Sequence, residues 1–344
     1  MKKYLIIILL LSSCNDKKTA SNKVIELSNS LNGKEEVVTP KKVQFDEEEL
    51  TYSNFSFIQA NKSGLYVTPA GTFEDYVLYR YEIDSNVQMA KRTGIIKEGR
   101  GPNEIERISM SSKAINGDTL LFGSAGSKTL AIDDKGFLFE WEFDTRQIPN
   151  YGYSFSYNKG KLLIPSFNPA QTAYLFRIYD LGKDSSYFSF TPRVPYGYQP
   201  SIRNEVLGET PIPKGFAISF LGDKKVYVLN FKGEVTKEII LGESDEIPKP
   251  YKVNSPQESP GAKPYITKME FFNEHLLVLM DNTIWILEYP SFSLKMKIKL
   301  SINETNETSP VIDFSISDNY LFSRIGRSGI YYTETNASWF NSIK

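Results

Sequence analysis

One cysteine and one histidine in 344 residues remove most metal and nucleophile chemistry before any motif is read. Without a second thiol there is no disulfide and no thiolate metal site, so stability has to come from core packing. With His275 as the lone histidine there is no HExxH site, no Ser-His-Asp triad and no multi-histidine centre. Its setting, Asn273-Glu274-His275-Leu276, predicts a surface residue of a hairpin turn. An excess of either charge is also missing, with 40 basic against 41 acidic residues. Nothing in that balance attracts nucleic acid or an anionic surface. Long amphipathic stretches at helical spacing do not occur, and the apolar run Tyr4 to Leu11 is far short of the roughly twenty residues a spanning helix needs.

Two glycine-rich segments fail as phosphate loops. Gly123-Ser124-Ala125-Gly126-Ser127-Lys128-Thr129 lacks the required spacing and lies between two strands. In Gly99-Arg100-Gly101-Pro102-Asn103-Glu104-Ile105, Pro102 has no N–H to offer and no helix follows. Calcium-loop spacing is absent as well. No cofactor and no metal is expected.

What is present begins at the N-terminus. Met1-Lys2-Lys3 followed by about eight apolar residues fits a secretory signal. The next residues, Leu11-Ser12-Ser13-Cys14, resemble a bacterial lipobox, in which small residues admit the peptidase and the thiol accepts the lipid. The single cysteine stands directly after the apolar run, so residues 1–13 are expected to be a signal peptide and Cys14 the lipid attachment point. Several acyl chains, at roughly 0.8 kcal/mol per buried methylene, hold far more firmly than one. Polar sequence from Asn15 to about Glu36 predicts a flexible tether over 14–36. The expected location is the cell envelope, lipid-anchored at the outer membrane, with the periplasmic and surface faces both open.

Aromatics are plentiful, 21 Tyr and 22 Phe, and β-branched residues are frequent, as an all-β fold demands. One pattern recurs six times: apolar strand, polar turn, apolar strand, short Gly/Asp/Asn turn, more polar strand. Its paired apolar strands are Leu65–Val67 with Tyr76–Tyr79, Leu120–Phe122 with Thr129–Ile132, and Leu162–Ile164 with Tyr174–Phe176. They continue as Phe216–Ile218 with Val226–Val228, Leu276–Val278 with Ile284–Ile286, and Tyr320–Phe322 with Ile330–Tyr332. Most copies carry an earlier short strand, such as Phe55–Ile58 or Met269–Phe272. Four short antiparallel strands in about fifty residues is the unit of a propeller blade. The expected fold over residues 37–344 is therefore a six-bladed β-propeller, its last copy ending with Trp339-Phe340 as the third of these strands. Val37 to Phe45 is left over and is expected to add a strand to the last blade, hiding an edge.

Long inter-blade insertions contain Arg100, Arg146, Tyr151, Tyr196, Tyr198, Arg203 and Tyr251, and this Tyr and Arg content suits a recognition face. Asn103 and Glu104 join Arg100 as candidates in the tight Gly99–Ile105 turn. Arg100 has two readings, a carboxylate-binding group or a structural pair with a neighbouring blade. A lipobox followed by six blades, with Gly-Arg-Gly-Pro-Asn-Glu after the first, resembles the TolB-like six-bladed propeller lipoproteins of Gram-negative bacteria. The resemblance implies the fold and no activity. The expected function is a non-catalytic binding or scaffolding propeller for a glycan, a peptide or an envelope protein. Its rival is a glycan-cleaving enzyme with two carboxyl groups about 5 to 9.5 Å apart in the central funnel.

Overall fold

The computed structural model describes residues 23–27, 34–45, 55–69, 75–83, 89–115, 118–124, 128–144, 155–167, 174–183, 185–190, 206–220, 224–242, 265–301, 310–326 and 329–341. Four short strands come first: β1 Lys23–Leu27, β2 Lys34–Val38, β3 Lys41–Lys42 and β4 Gln44–Phe45. Blade one is β5 Phe55–Asn61, β6 Gly64–Pro69, β7 Tyr76–Ile83 and β8 Met89–Lys97. Blade two is β9 Met110–Lys113, β10 Leu120–Gly123, β11 Lys128–Ile132 and β12 Leu138–Asp144. Blade three is β13 Ser156–Asn158, β14 Lys161–Phe167, β15 Tyr174–Asp180 and β16 Ser185–Phe190. Blade four is β17 Val206–Ile212, β18 Gly215–Phe220, β19 Lys225–Asn230 and β20 Val235–Leu241. Blade five is β21 Ile266–Phe272, β22 His275–Met280, β23 Thr283–Glu288 and β24 Ser293–Leu300. Blade six is β25 Val311–Ile316, β26 Tyr320–Ile325 and β27 Gly329–Glu334, completed by β3.

Each blade is an antiparallel meander, and the first strands β5, β9, β13, β17, β21 and β25 contact one another in turn and close into a ring. The chain is a six-bladed β-propeller. Turns from first to second and from third to fourth strand emerge on one face, the turn face. Second-to-third connections and inter-blade segments emerge on the other, the loop face.

The hydrophobic pattern explains the closure. Second and third strands are apolar on both sides because each blade is packed between two neighbours. Six apolar clusters result, one per blade interface. Leu277, Leu279 and Ile284 of blade five, for example, meet Phe314, Ile316 and Leu321 of blade six, all at most 1% exposed. Turn chemistry sets the period. Asp133 Oδ1 accepts from Lys135 N and Phe137 N at 3.0 and 2.8 Å. Asn230 Oδ1 accepts from Lys232 N and Glu234 N at 2.9 and 3.0 Å. An Asx side chain at the end of the third strand thus folds the backbone into the fourth, helped in both turns by a glycine in the left-handed region, Gly136 at φ 85 and Gly233 at φ 78.

Polar side chains on the first strands latch blade to blade. Asn61 Nδ2 donates to Asp118 O and Asp133 O of blade two at 3.0 and 2.9 Å. Asn158 Nδ2 makes the equivalent reach to Ile212 O and Gly215 O of blade four, at 2.7 and 2.9 Å. Between blades six and one the direction reverses: Asp313 Oδ2 accepts from Ile58 N at 3.0 Å and Ser315 Oγ from Ala60 N at 2.8 Å. Asp313 and Ser315 thus satisfy N–H groups of the first strand β5, and Asn61 and Asn158 satisfy carbonyls at the turns of the next blade.

The N-terminal segment laces the outside of the ring. β1 runs parallel to β20, β2 parallel to β24 and β4 parallel to β8, while β3 pairs antiparallel with β27. The leftover strand expected to close the last blade is β3. Three expectations need correction. Within 14–36, polar composition predicted a tether, yet residues 23–27 and 34–36 are paired strands, because the outer edges of blades four and five supply the hydrogen-bonding partners that the segment lacks alone. Trp339-Phe340 is not an outer strand: Asn336 accepts from Ser338 N and starts a short 3-10 turn, Ala337–Trp339. Trp339 is then buried and donates from Nε1 to Glu36 of β2 at 2.8 Å. His275 is not at the surface either; it is 6% exposed, packs its ring 5.5 Å from that of Phe340, and burial lowers its pKa.

Candidate functional site

Turns between first and second strands lie nearest the axis, so the turn-face mouth of the channel is built from them. Four blades contribute: Lys62 from β5–β6, Ile115 and Asp118 from β9–β10, Phe271 to Glu274 around β21–β22, and Asp318 from β25–β26. Together they line a cavity of about 370 Å³, within the range of small-ligand sites. Asn273 and Glu274 occupy consecutive left-handed conformations, φ 46 and 58, as a tight two-residue hairpin requires. This geometry carries Glu274 to the rim.

The electrostatics centre on Lys62. Its Nζ lies 3.5 Å from Asp118 Oδ1 and 3.6 Å from Asp318 Oδ2, joining blades one, two and six. Asp118 and then Asp318 raise its pKa above the usual lysine value. All these groups remain well exposed, so the cluster contributes little to stability and is open to exchange partners.

Beneath the cavity the chemistry is different. The Phe272 ring covers Lys113 Nζ at 5.7 Å. Lys113, from β9, lies 3.5 Å from Glu270 Oε2 of β21, with side chains 5% and 2% exposed. The same ammonium donates to Ile316 O, and Glu270 Oε2 accepts from Ile316 N at 3.2 Å. Blades two, five and six are thus tied across the axis by one enclosed ion pair. Burial lowers the Lys113 pKa, with Glu270 opposing the shift.

Of the residues singled out from sequence, Arg100, Asn103 and Glu104 are described, and all lie in the β8–β9 connection on the loop face. Glu104 Oε2 accepts from Gly101 N at 2.7 Å. A Cβ at Gly99, φ 155, would stand 2.2 Å from that oxygen, which accounts for the glycine. Lys128 of blade two donates to Gly101 O. Arg100 bonds Glu106 of its own segment and is 86% exposed, so its partner is not a neighbouring blade. Asn103, at φ 58, is exposed in the same turn. Glu104 is thereby committed to its own loop, whereas Arg100 keeps most of its surface. Cys14, Arg146, Tyr151, Tyr196, Tyr198, Arg203 and Tyr251 lie outside the described residues. The structure does not bring the three described candidates to the channel mouth. Lys62, Asp118, Glu274 and Asp318 had no sequence signal beyond their place in short polar turns.

No family model matches the chain, and no curated protein matches its sequence. Among solved structures, it is similar to Saccharomyces cerevisiae Sqt1, at 12% identity and TM-score 0.42, over 82% of this chain and 72% of that one. It is also similar to the computationally designed Ika8 protein, at 11% identity and TM-score 0.40, over 86% of this chain and 100% of that one. At these similarities neither carries an argument about function.

Proposed function

We infer that this chain is a ligand-binding propeller of the cell envelope, of the TolB-like lipoprotein kind, anchored through Cys14 and taking its ligand at the turn-face mouth of the channel. The propeller fold suggests a binding or scaffolding role. The observation that carries the placement is the axial cavity, where polar side chains of four blades converge over a floor of Phe271 and Phe272. Binding sites of this kind combine an apolar base with a few convergent polar groups. Three carboxylates line the cavity, Asp118, Glu274 and Asp318, and an ammonium lies within 3.6 Å of two of them, Asp118 and Asp318. Glycoside hydrolysis instead needs the sugar between its two carboxyl groups, so the arrangement favours binding. The ligand classes that suit such a mouth are a glycan, a peptide or a loop of another envelope protein.

The test uses the chain carrying Cys14→Ser, which can be handled free of lipid, on glycan and peptide arrays. Saturable binding is expected to fall at least tenfold with Asp118→Ala and Asp318→Ala together, and to survive Arg100→Ala. The reverse pattern would move the site to the loop face. The anchor has its own test: Cys14→Ser should shift the protein from the membrane to the soluble fraction, and a variant that stays with the membrane refutes the lipid attachment.

A further inference from the structure

Blades one, four and five each carry a fifth strand, added parallel to the fourth strand by the N-terminal segment. Three fourth strands of this ring therefore accept a further strand, each time parallel, whereas blade six takes β3 antiparallel to its third strand. Among the described residues, β16 of blade three has no such partner, and neither has β12 of blade two. Its sequence, Leu138-Phe139-Glu140-Trp141-Glu142-Phe143-Asp144, together with the preceding Phe137, is apolar and acidic.

Exposure marks the same place. Four large apolar side chains among the described residues are exposed, and two of them, Val24 and Val37, stand singly on β1 and β2. The other two are adjacent on blade two: Phe137 is 67% and Phe139 37% exposed. Phe139 continues into Trp141 at 5.7 Å between ring centres, and Trp141 into Tyr157 of blade three at 5.3 Å. A run of aromatics on an edge with no partner strand among the described residues is costly to leave in water and invites strand addition.

Charge indicates the occupant. On one edge that the chain fills itself, acid is set against base: β2, with Glu35 and Glu36, lies on lysine-rich β24, and Glu35 is opposite Lys297. Glu35 offsets the lowering that burial imposes on the Lys297 ammonium. On β12 the charges have the opposite sign, with Glu140, Glu142 and Asp144 alternating along the strand. Lys128 reaches Glu140 at 3.1 Å and is the one basic side chain of β11, the strand beside it. We propose that β12 is a docking edge for an extended segment of a partner protein that alternates apolar and basic residues, added parallel to β12 as a fifth strand of blade two. Main-chain hydrogen bonds would supply affinity, and the Phe137–Phe139–Trp141 run with the acidic residues would supply specificity.

This inference is independent of the channel-mouth site and is tested separately. The full chain carrying Cys14→Ser is titrated with a fluorescent peptide of alternating Lys and Val, and with its Glu-Val counterpart, followed by anisotropy. Saturable binding of the Lys-Val peptide at least tenfold tighter than the Glu-Val one, lost with Phe139→Lys and kept with Asp118→Ala, is the expected result. Phe139 is partly exposed, so the charge is tolerated by the fold; unchanged circular dichroism and melting confirm it. A milder Phe137→Ser variant should weaken binding several-fold. Failure of the Lys-Val peptide to bind, equal binding of both peptides, or full retention by Phe139→Lys would overturn the proposal. So would sedimentation showing that the edge is filled by a second copy of this chain.

Discussion

Lys113→Met is expected to cost about 3–5 kcal/mol of stability, the magnitude for removing one partner of an enclosed ion pair. The loss does not come from the Lys113–Glu270 attraction alone. With the Lys113 amine gone, the Glu270 carboxylate, 2% exposed, and the Ile316 carbonyl lose the donor that faces them between the blades. Glu270→Leu on its own should be similarly damaging, since it strands the ammonium. The double variant Lys113→Met with Glu270→Leu should recover most of the loss, because two apolar side chains of similar volume need no mutual compensation. Chemical denaturation of the four proteins measures the coupling. Additive losses would show that the pair does not act as a unit.

The same pair predicts a pH dependence of definite sign. Burial lowers the folded-state pKa of Lys113 below its ordinary 10.5. Between the folded value and 10.5 the unfolded chain therefore binds more protons than the folded one, and this group's contribution to stability rises with pH. It is complete above 10.5 and lost as pH falls through the folded value. The difference between wild type and Lys113→Met should accordingly grow as pH approaches 10.5. A difference that shrinks over that range would mean the ammonium is stabilised by folding instead.

These axial residues also show why parts of the molecule were legible in sequence and others were not. Second and third strands, such as Leu276–Val278 and Ile284–Ile286, stand out because both their faces meet neighbouring blades. Fold class and blade number follow from them. The first strands β9, Met-Ser-Ser-Lys, and β17, Val-Leu-Gly-Glu-Thr-Pro-Ile, carry little apolar pattern and so give little strand signal. Around the axis their side chains serve polar contacts, as Lys113 does and as Ser111 does in accepting from Gln59 at 3.2 Å. The channel mouth was hidden for a related reason. Lys62, Asp118, Glu274 and Asp318 are brought together by ring closure and by nothing local. The Gly99–Ile105 segment stands out in sequence because its signal is local, and its glycines answer to a local need, space for Glu104.

Removing residues up to 45 is expected to have the broadest effect of any change considered. The outer strand of blade six would be lost, and with it the pairing of β3 to β27 and the bond from Val43 N to Ile330 O at 2.8 Å. Val43 and Leu27, 2% and 4% exposed, each contribute roughly 1.5–3 kcal/mol by burial. Glu36 would no longer receive the Trp339 indole N–H. Outer edges of blades one, four and five would be uncovered at the same moment, so the product should aggregate rather than merely soften. Removing residues only up to 22 leaves all four belt strands and should give a soluble protein with an unchanged melting temperature. Val43→Asp separates packing from length: the chain keeps every strand but buries a charge, and its melting transition should fall sharply. If the truncation to 45 stayed monomeric with an unaltered transition, the belt would be decoration, and closure of the ring would rest on the first-strand latches alone.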